Sequence, residues 1–518
     1  MKTISRDEWA NLIFFLALLL GAFARFNPNL LASFPLNQGG MFAVMVNDLK
    51  ANQYILPVFT TYNHLRIPFA YPPFGFYAGG MISDLLGLNT LQVLRWVPAF
   101  FASLSIPAFY LLASRLLRTK FHAALATVFF ALMPRALSWF VSGGGLTRAP
   151  GQFFMLLTIA AAVKLYKENH RADVFWAGLF AGLTIMSHPE AAVHMIASVI
   201  LLWALIARTR ATFIKLIGVG LVSLIVTAPW WVTVIQYHGI EPLLNAAQTG
   251  QKSLAVLNLI SFNFTEEVFT TLIAVLGLIG LARGLFHKEY VLPLWLALPF
   301  LIEGRSAVLP AAIPLAMLAA IGLIDVILTG LNDRLMQKTE DTGRVSAVES
   351  GVLIYVLLYL FFSIYQFGAA LSASSLSSSD REAMEWVHQN TPHGSRFLVL
   401  TGTNSISCDM VLEWFPALAD RQSLYTVQGT EWTQGSNFVS YVQSTYAVQR
   451  CLRGGNVQCL DAEVPRVEYD YLYVSKVSRF DCRTVDYKNA SYYFLESVRF
   501  ENDFNKVYES DGVVIFAR

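Results

Sequence analysis

The chain has 518 residues, 55% of them apolar or aromatic and only 14% charged, with a formal charge of +2. Soluble proteins carry nearer a quarter charged residues, so an ordinary soluble enzyme is excluded and the class is integral membrane. The first 373 residues hold 24 Lys/Arg against 17 Asp/Glu, and the remainder 13 against 18. Membrane topology accounts for the basic residues, so nothing points to a nucleic-acid partner.

A spanning helix needs ~20 mainly apolar residues. That rule predicts eleven spans, near 10–27, 91–114, 121–138, 150–166, 174–188, 190–207, 213–236, 266–283, 289–303, 305–329 and 349–371. The first is read as a retained helix, because no small-residue cleavage site follows it cleanly. Of the 24 basic residues, 16 fall in loops that recur at every second crossing. They are Lys2/Arg6, Arg115/Arg118/Lys120, Lys164/Lys167/Arg171, Arg208/Arg210/Lys215, Arg283/Lys288 and Arg334/Lys338/Arg344. Lys and Arg are retained on the cytoplasmic side, so the expected topology is a multi-pass plasma-membrane protein with its N-terminus inside and its C-terminal domain outside.

Residues 28–90 form a long first external loop. Within it, 39–53 reads as a surface helix with Met41, Val44, Met45 and Leu49 on its apolar side. Residues 71–88 are apolar enough to resemble a span, but making them one reverses the charge pattern of every later loop. Their Pro72-Pro73 start, Gly79-Gly80 and Asp84 favour a helix at the outer surface. Residues 372–379 form a Ser-rich flexible linker. An extracytoplasmic α/β domain then spans 380–518, with a helix at 381–389 capped by Asp380 and strands near 396–401, 469–474 and 513–517. All four cysteines lie in this tail. Two disulfides in an exported domain are expected, Cys451 with Cys459 and Cys408 with Cys482 being the favoured pairing; four buried thiols are the alternative.

Four outward-facing groups carry candidate chemistry. In the first loop, Asp48 is a carboxylate near the membrane surface that could take a proton from an acceptor hydroxyl, with His64 and Arg66 close behind it. Asp48 reads equally well as the wet side of a surface helix. In Ser142-Gly143-Gly144-Gly145-Leu146-Thr147-Arg148, glycines that expose backbone N–H groups precede a fixed cation, a combination suited to phosphate. The bland reading there is a tight turn into a helix at Pro150. His188-Pro189-Glu190 and His194 place ionisable groups at a membrane turn, where they are costly and usually functional. This spacing is not a specific ligand signature, so no metal is indicated. Glu303-Gly304-Arg305 is either an ion pair capping two helices or a second anion-binding arginine. Tyr71, Trp139, Trp414 and Trp432 are aromatic faces that could stack on sugars, with packing the better reading for any one of them.

Taken together these residues resemble the GT-C superfamily of polytopic membrane glycosyltransferases. Within it, the chain looks most like the bacterial membrane-protein branch labelled "6-pyruvoyl-tetrahydropterin synthase-related". The resemblance rests on Pro68-Phe69-Ala70-Tyr71-Pro72-Pro73, the Gly143–Arg148 loop, His188-Pro189-Glu190 and the Arg305–Pro314 stretch. In the tail it rests on 385–392 and 413–421. It implies a GT-C-like transmembrane domain over 1–371 and inverting transfer of a sugar from a polyprenyl-phosphate donor to a protein or glycan acceptor outside the membrane. It also implies an acidic base in the first external loop and basic residues on the donor phosphate. Related sequences commonly carry an acid soon after span 1, where this chain has Asn37-Gln38-Gly39-Gly40, and an amide cannot act as a general base. Asp48 or Glu190 then serves as the carboxylate. Otherwise the chain is a catalytically inactive GT-C-like subunit with a structural, assembly or recognition role. Donor binding falls to Arg148, Arg305, Gly143, Gly144, Gly145, His64, Arg66 and His188. A transporter is disfavoured by the absence of an internal repeat or paired interrupted helices.

Overall fold

Among the described residues, apolar helices dominate from Arg6 to Ser372, and a mixed sheet follows. The computed structural model describes residues 5–248, 257, 259, 270–304, 306–335, 345–479, 485–486 and 491–518. The membrane half begins with α1 (Arg6–Leu31), α2 (Gly40–Ala51), α3 (Phe74–Leu86), α4 (Thr90–Leu116), α5 (Lys120–Ala131) and α6 (Arg135–Val141). It continues through α7 (Gly145–Glu168), α8 (Ala172–Ser187), α9 (Pro189–Ile206), α10 (Arg210–His238) and α11 (Glu241–Gln248). It closes with α12 (Leu272–Phe286), α13 (Val291–Ile302), α14 (Val308–Ile321, running on through a π-helical turn at Gly322–Leu328) and α15 (Ala347–Ser372).

The expected spans overlap these helices, but those at 121–138, 174–188, 266–283 and 289–303 fall on helices shorter than a full span; residues 266–269 and Arg305 lie outside the described residues. Among the described residues, seven helices are long and apolar enough to cross a membrane, and α12 and α13 meet at 119°. The protein is a multi-pass membrane protein. The span expected at 121–138 is broken into α5 and α6 at Pro134, where the ring removes a donor and biases the preceding residue out of the helix. Residues 71–88 form only α3, of 13 residues, and α2 buries Met41, Met45 and Leu49 as its periodicity requires. Arg25 is buried inside α1, where its Nε and Nη1 donate to the carbonyls of Ala102, Gly21 and Ala131 at 2.8–2.9 Å. Helix α7 is the centre of the bundle, packed by α4, α8 and α9.

The tail contains α16 (Ser378–Asn390), α17 (Met410–Ala419), α18 (Phe438–Gly454), α19 (Val457–Glu463) and α20 (Tyr492–Arg499). Its strands are β1 (Arg396–Leu400), β2 (Gln422–Leu424), β3 (Tyr471–Ser475), β4 (Asn505–Glu509) and β5 (Val513–Ala517). They form one sheet in the order β2-β1-β3-β5-β4, with β1 parallel to both neighbours and β5 antiparallel to both of its own. Strand alternation divides the core. Phe397, Val399, Tyr473 and Ile515 face α16 and α17, while Leu398, Leu400, Leu472 and Phe516 face α18 to α20.

Two local expectations are corrected here. The serine linker is short and pinned: Asn37 N–H donates to the Ser374 carbonyl at 2.7 Å and Leu36 bridges Ser375, while Ser378 and Ser379 already belong to α16. Ser377, not Asp380, caps that helix. Its hydroxyl accepts from Asp380 N–H at 3.0 Å and donates back to the Asp380 carboxylate at 2.6 Å, a reciprocal cap that satisfies both groups. The Cys451–Cys459 disulfide joins α18 to α19; Cys408 is buried, and its expected partner Cys482 lies outside the described residues. Loss of the short bridge in Cys451→Ser is expected to lower the unfolding free energy of the tail by about 2–3 kcal/mol, the loop-closure value for so small a ring, as read by thermal unfolding.

Candidate functional site

The site grows from the start of α7. Gly143 N–H donates to the Leu36 carbonyl at 2.8 Å, and a Cβ on Gly143 would lie 2.2 Å from the Gln38 carbonyl oxygen. The glycine run therefore presses α7 against the strand of loop at 36–40. Gly39, at φ 155°, meets it with its own Cα only 3.1 Å from where the Gly143 Cβ would stand. Gly143→Ala is expected to force this junction apart at a cost of about 1–3 kcal/mol, measurable as a lowered melting temperature.

One turn into α7, Arg148 lies over the Trp139 ring at 5.2 Å. Its Nη1 is buried and has no hydrogen-bond partner among the described residues. A guanidinium with an unanswered buried donor is costly unless something arrives to accept from it. The guanidinium borders a small cavity lined also by Gln152, His188, Glu190, His194 and Ser306. Pro189 starts α9 and leaves His188 extended at φ −153°, which turns the imidazole out of the helix pair and into this space. Gly151 makes room for it, since a Cβ there would be 2.8 Å from that of His188.

Two polar chains meet in the cavity. In the first, the Tyr71 hydroxyl is 2.9 Å from His188 Nδ1 and 3.3 Å from Thr147 Oγ1, and His188 Nε2 is 3.4 Å from Glu190 Oε2. Burial pushes the Tyr71 phenol up to about 12, so it stays protonated and can donate to Nδ1, leaving the Nε2 proton directed at Glu190. In the second, His194 Nε2 faces Glu303 Oε2 at 3.7 Å, and Glu303 accepts from Ser306 N–H and Oγ at 3.1 and 2.7 Å. Glu190 and His194, expected four apart on one face of a helix, do line one cavity, but their named contacts are to His188 and Glu303 respectively.

The remaining candidates are placed elsewhere. The Asp48 carboxylate accepts from Thr60 Oγ1, Thr61 N–H and Thr61 Oγ1 at 2.6–2.9 Å, which fixes the turn at 60–61. His64 Nε2 contacts Asp420 of the tail at 3.1 Å, and Arg66 covers the Phe59 ring at 4.8 Å. None of the three lines the Arg148 cavity. Arg305 lies outside the described residues. Trp414 is fully buried, edge-on to Phe34 at 4.7 Å, and packs; Trp432 meets Tyr71 edge-on at 5.7 Å beside the cavity. Among the described residues no group of three or more His, Cys, Asp or Glu side chains is placed to hold a metal ion.

Sequence reasoning missed Glu413. It sits on α17, and its Oε1 accepts from Gly39 N–H at 3.0 Å at the start of α2, while Oε2 is buried without a hydrogen-bond partner among the described residues. Its backbone carbonyl accepts from the Tyr62 hydroxyl at 2.8 Å and would collide with a Cβ on Gly40. Burial pushes the Glu413 carboxyl up to about 7, opposed by the N–H groups of Gly39 and Met41 and by the charge of Arg148. The tail thus delivers a carboxyl group to the Gln38-Gly39-Gly40 segment, which has none of its own.

A family model for dolichyl-phosphate-mannose-protein mannosyltransferases matches residues 70–232, the stretch that carries Tyr71, Arg148, His188, Glu190 and His194. No curated protein matches the chain in sequence. Among solved structures, the oligosaccharyltransferase AglB from Archaeoglobus fulgidus, in complex with an inhibitory peptide and a dolichol-phosphate, aligns at TM-score 0.64 and 14% identity over 98% of this chain and 80% of its own. The chain has the GT-C membrane-glycosyltransferase fold. ArnT from Cupriavidus metallidurans, bound to undecaprenyl phosphate, aligns at TM-score 0.56 and 13% identity over 98% of both chains. The arabinofuranosyltransferase AftD from Mycobacteria aligns at TM-score 0.55 and 15% identity over all of this chain but 40% of its own.

Proposed function

We propose that this protein is a glycosyltransferase that moves a sugar from a polyprenyl-phosphate donor to a hydroxyl- or amide-bearing acceptor, at the membrane face where α7 begins. The observation that carries this reading is the buried Arg148 Nη1, without a hydrogen-bond partner among the described residues, at a cavity lined also by Glu190 and by His188, which Tyr71 contacts from outside it. In the reaction the bond from the sugar's anomeric carbon to the phosphate oxygen breaks with its electron pair, and the acceptor atom takes its place on that carbon. Arg148 neutralises the charge gathering on the departing polyprenyl phosphate. Glu190, oriented by His188, takes the acceptor's proton. Glu190 is preferred to Asp48 because three donors already hold the Asp48 carboxylate in its turn.

The matched family model supports the donor class, as do the lipid phosphates bound to the similarly folded AglB and ArnT. Attack opposite the leaving phosphate makes the transfer inverting. The alternating Lys/Arg loops support a reading with this face outside the plasma membrane, the N-terminus inside and the tail domain beside the acceptor. Within the GT-C type, the reading favours the "6-pyruvoyl-tetrahydropterin synthase-related" branch on its sequence motifs, and no pterin chemistry is proposed.

Undecaprenyl phosphate binding to the purified chain tests the reading without knowledge of the sugar. Wild type and Glu190→Gln are expected to retain the lipid, with Glu190→Gln losing sugar transfer by about 10²–10⁴-fold, the usual contribution of a general base. Asp48→Asn is expected to transfer sugar at close to the wild-type rate and to melt lower. If wild type retains no polyprenyl phosphate but copurifies with a stable protein partner, the transferase reading fails and a non-catalytic subunit takes its place.

A further inference from the structure

At the end of α7 away from Arg148, a second polar site is built into the helix bundle. Arg148 and Lys167 stand nineteen residues apart on one helix. At ~1.5 Å per residue that is roughly 28 Å, about the thickness of a bilayer's hydrocarbon core. The distal end opens into a notch of about 390 Å³ between the α4–α5 turn, the end of α7, the α12–α13 turn and the π-helical part of α14.

The charge balance of the notch is positive. Arg118, Lys167, Arg283 and Lys288 line it against Glu289 and Asp325. Both carboxylates are already committed. Asp325 pairs with Arg283 at 3.0 Å and with His122 at 2.8 Å, and Glu289 pairs with Arg283 at 2.8 Å and with Arg118. The lysines are left over. Lys167 donates only to the Arg115 carbonyl, and Lys288 Nζ makes no hydrogen bond or ion pair among the described residues. The rest of the lining is apolar, from Leu116, Leu117, Ile206, Val291 and Leu318. At the adjacent turn Phe286 projects with 87% of its surface exposed, which suits burial in lipid rather than contact with water.

A surplus of cations set in an apolar notch at the membrane boundary selects a ligand with an anionic head and a hydrocarbon tail. We propose that this notch binds the phosphate headgroup of one anionic phospholipid, held by Lys288 and Lys167, with its acyl chains along the apolar lining. The site is separate from the Arg148 cavity by the thickness of the membrane, so it stands whether or not the transferase reading does.

The test is native mass spectrometry of the delipidated full chain in detergent, titrated with phosphatidylglycerol or with phosphatidylcholine of the same acyl length. One retained phosphatidylglycerol per chain is expected, with phosphatidylcholine excluded. The Lys288→Gln/Lys167→Gln pair is expected to weaken retention about tenfold or more, at ~1 kcal/mol per lysine near an anionic headgroup. Lys288→Gln alone, at an exposed turn, gives a smaller loss in the same direction if the double variant does not fold. Lys215→Ala, near the start of α10 and outside the notch, is expected to change nothing. Equal retention of phosphatidylcholine, or unchanged retention by the lysine variants, overturns the proposal. Displacement of the lipid by millimolar inorganic phosphate also overturns it, since the notch would then be a site for soluble anions.

Discussion

Arg148→Ala is expected to reduce sugar transfer by about 10²–10³-fold, the effect of removing one preorganised donor from a charge-developing oxygen. The same loss is expected in Arg148→Met. Because the leaving phosphate carries more charge in the transition state than in the bound donor, the fall is expected mainly in kcat, with a smaller rise in KM. Arg148→Lys keeps the charge but loses the planar fork and the stack on Trp139, so partial activity is expected. Thermal unfolding separates this role from a structural one. An arginine held for stability would destabilise the chain when removed. Here Nη1 is buried without a hydrogen-bond partner among the described residues, so at about pH 5, where Glu413 is protonated, replacing the guanidinium by an apolar side chain relieves an unmet donor at the cost of one cation–π contact of ~1 kcal/mol. Arg148→Met is therefore expected to melt within a few degrees of wild type while transfer is lost. A variant that melts far lower, or that transfers normally, would remove Arg148 from the chemistry.

The membrane half was largely legible because its two signals are local. Apolar length marks the long helices, and at 71–88 the Pro72-Pro73 start and Gly79-Gly80 go with the short α3 that hydropathy alone would extend. The break at Pro134 was visible as a proline but not as a division into two helices, since a proline within an apolar run is also compatible with a kink. The Arg148 and His188 motifs were legible for a different reason. Ionisable groups at a membrane turn are rare enough that their presence is itself information. Their companions were harder to sort. Asp48 and Glu190 both read in sequence as single carboxylates between apolar stretches, and only the geometry shows Asp48 occupied by Thr60 and Thr61 while Glu190 lines the Arg148 cavity. Glu413 could not be reached from local pattern, because its contact with Gly39 joins residues 374 apart. The available hint was a carboxylate next to Trp414 in a short apolar helix, opposite a Gly39-Gly40 pair whose lack of side chains implies close approach by some other element.

Raising the pH through neutrality is expected to loosen the tail from the segment at Gly39–Met41, and Glu413→Gln is expected to remove that pH dependence. Burial holds the Glu413 carboxyl at about 7, above its ordinary 4.5, because ionisation would leave a charge in a dry contact whose Oε2 has no donor. With the folded-state value above the unfolded one, the stabilisation is full below the ordinary value and is lost as pH rises through about 7. The gap between the two values corresponds to roughly 3 kcal/mol at ~1.4 kcal/mol per pH unit. Arg148 opposes the loss, since an ionised Glu413 is attracted to it, so the loosening is expected to be steeper in Arg148→Met. Hydrogen exchange at the Gly39 and Met41 amides, compared at about pH 5 and about pH 8, reads the contact directly once intrinsic rates are subtracted, because those amides are released when the carboxyl leaves. Glu413→Gln retains an acceptor for Gly39 N–H and cannot ionise, so its protection is expected to stay constant across the same range. Glu413→Ala lacks the acceptor and is expected to show weak protection at both pH values. Wild-type protection that does not change with pH would mean that Glu413 keeps one protonation state throughout, and the tail would then be held by Trp414 and the glycine contacts alone.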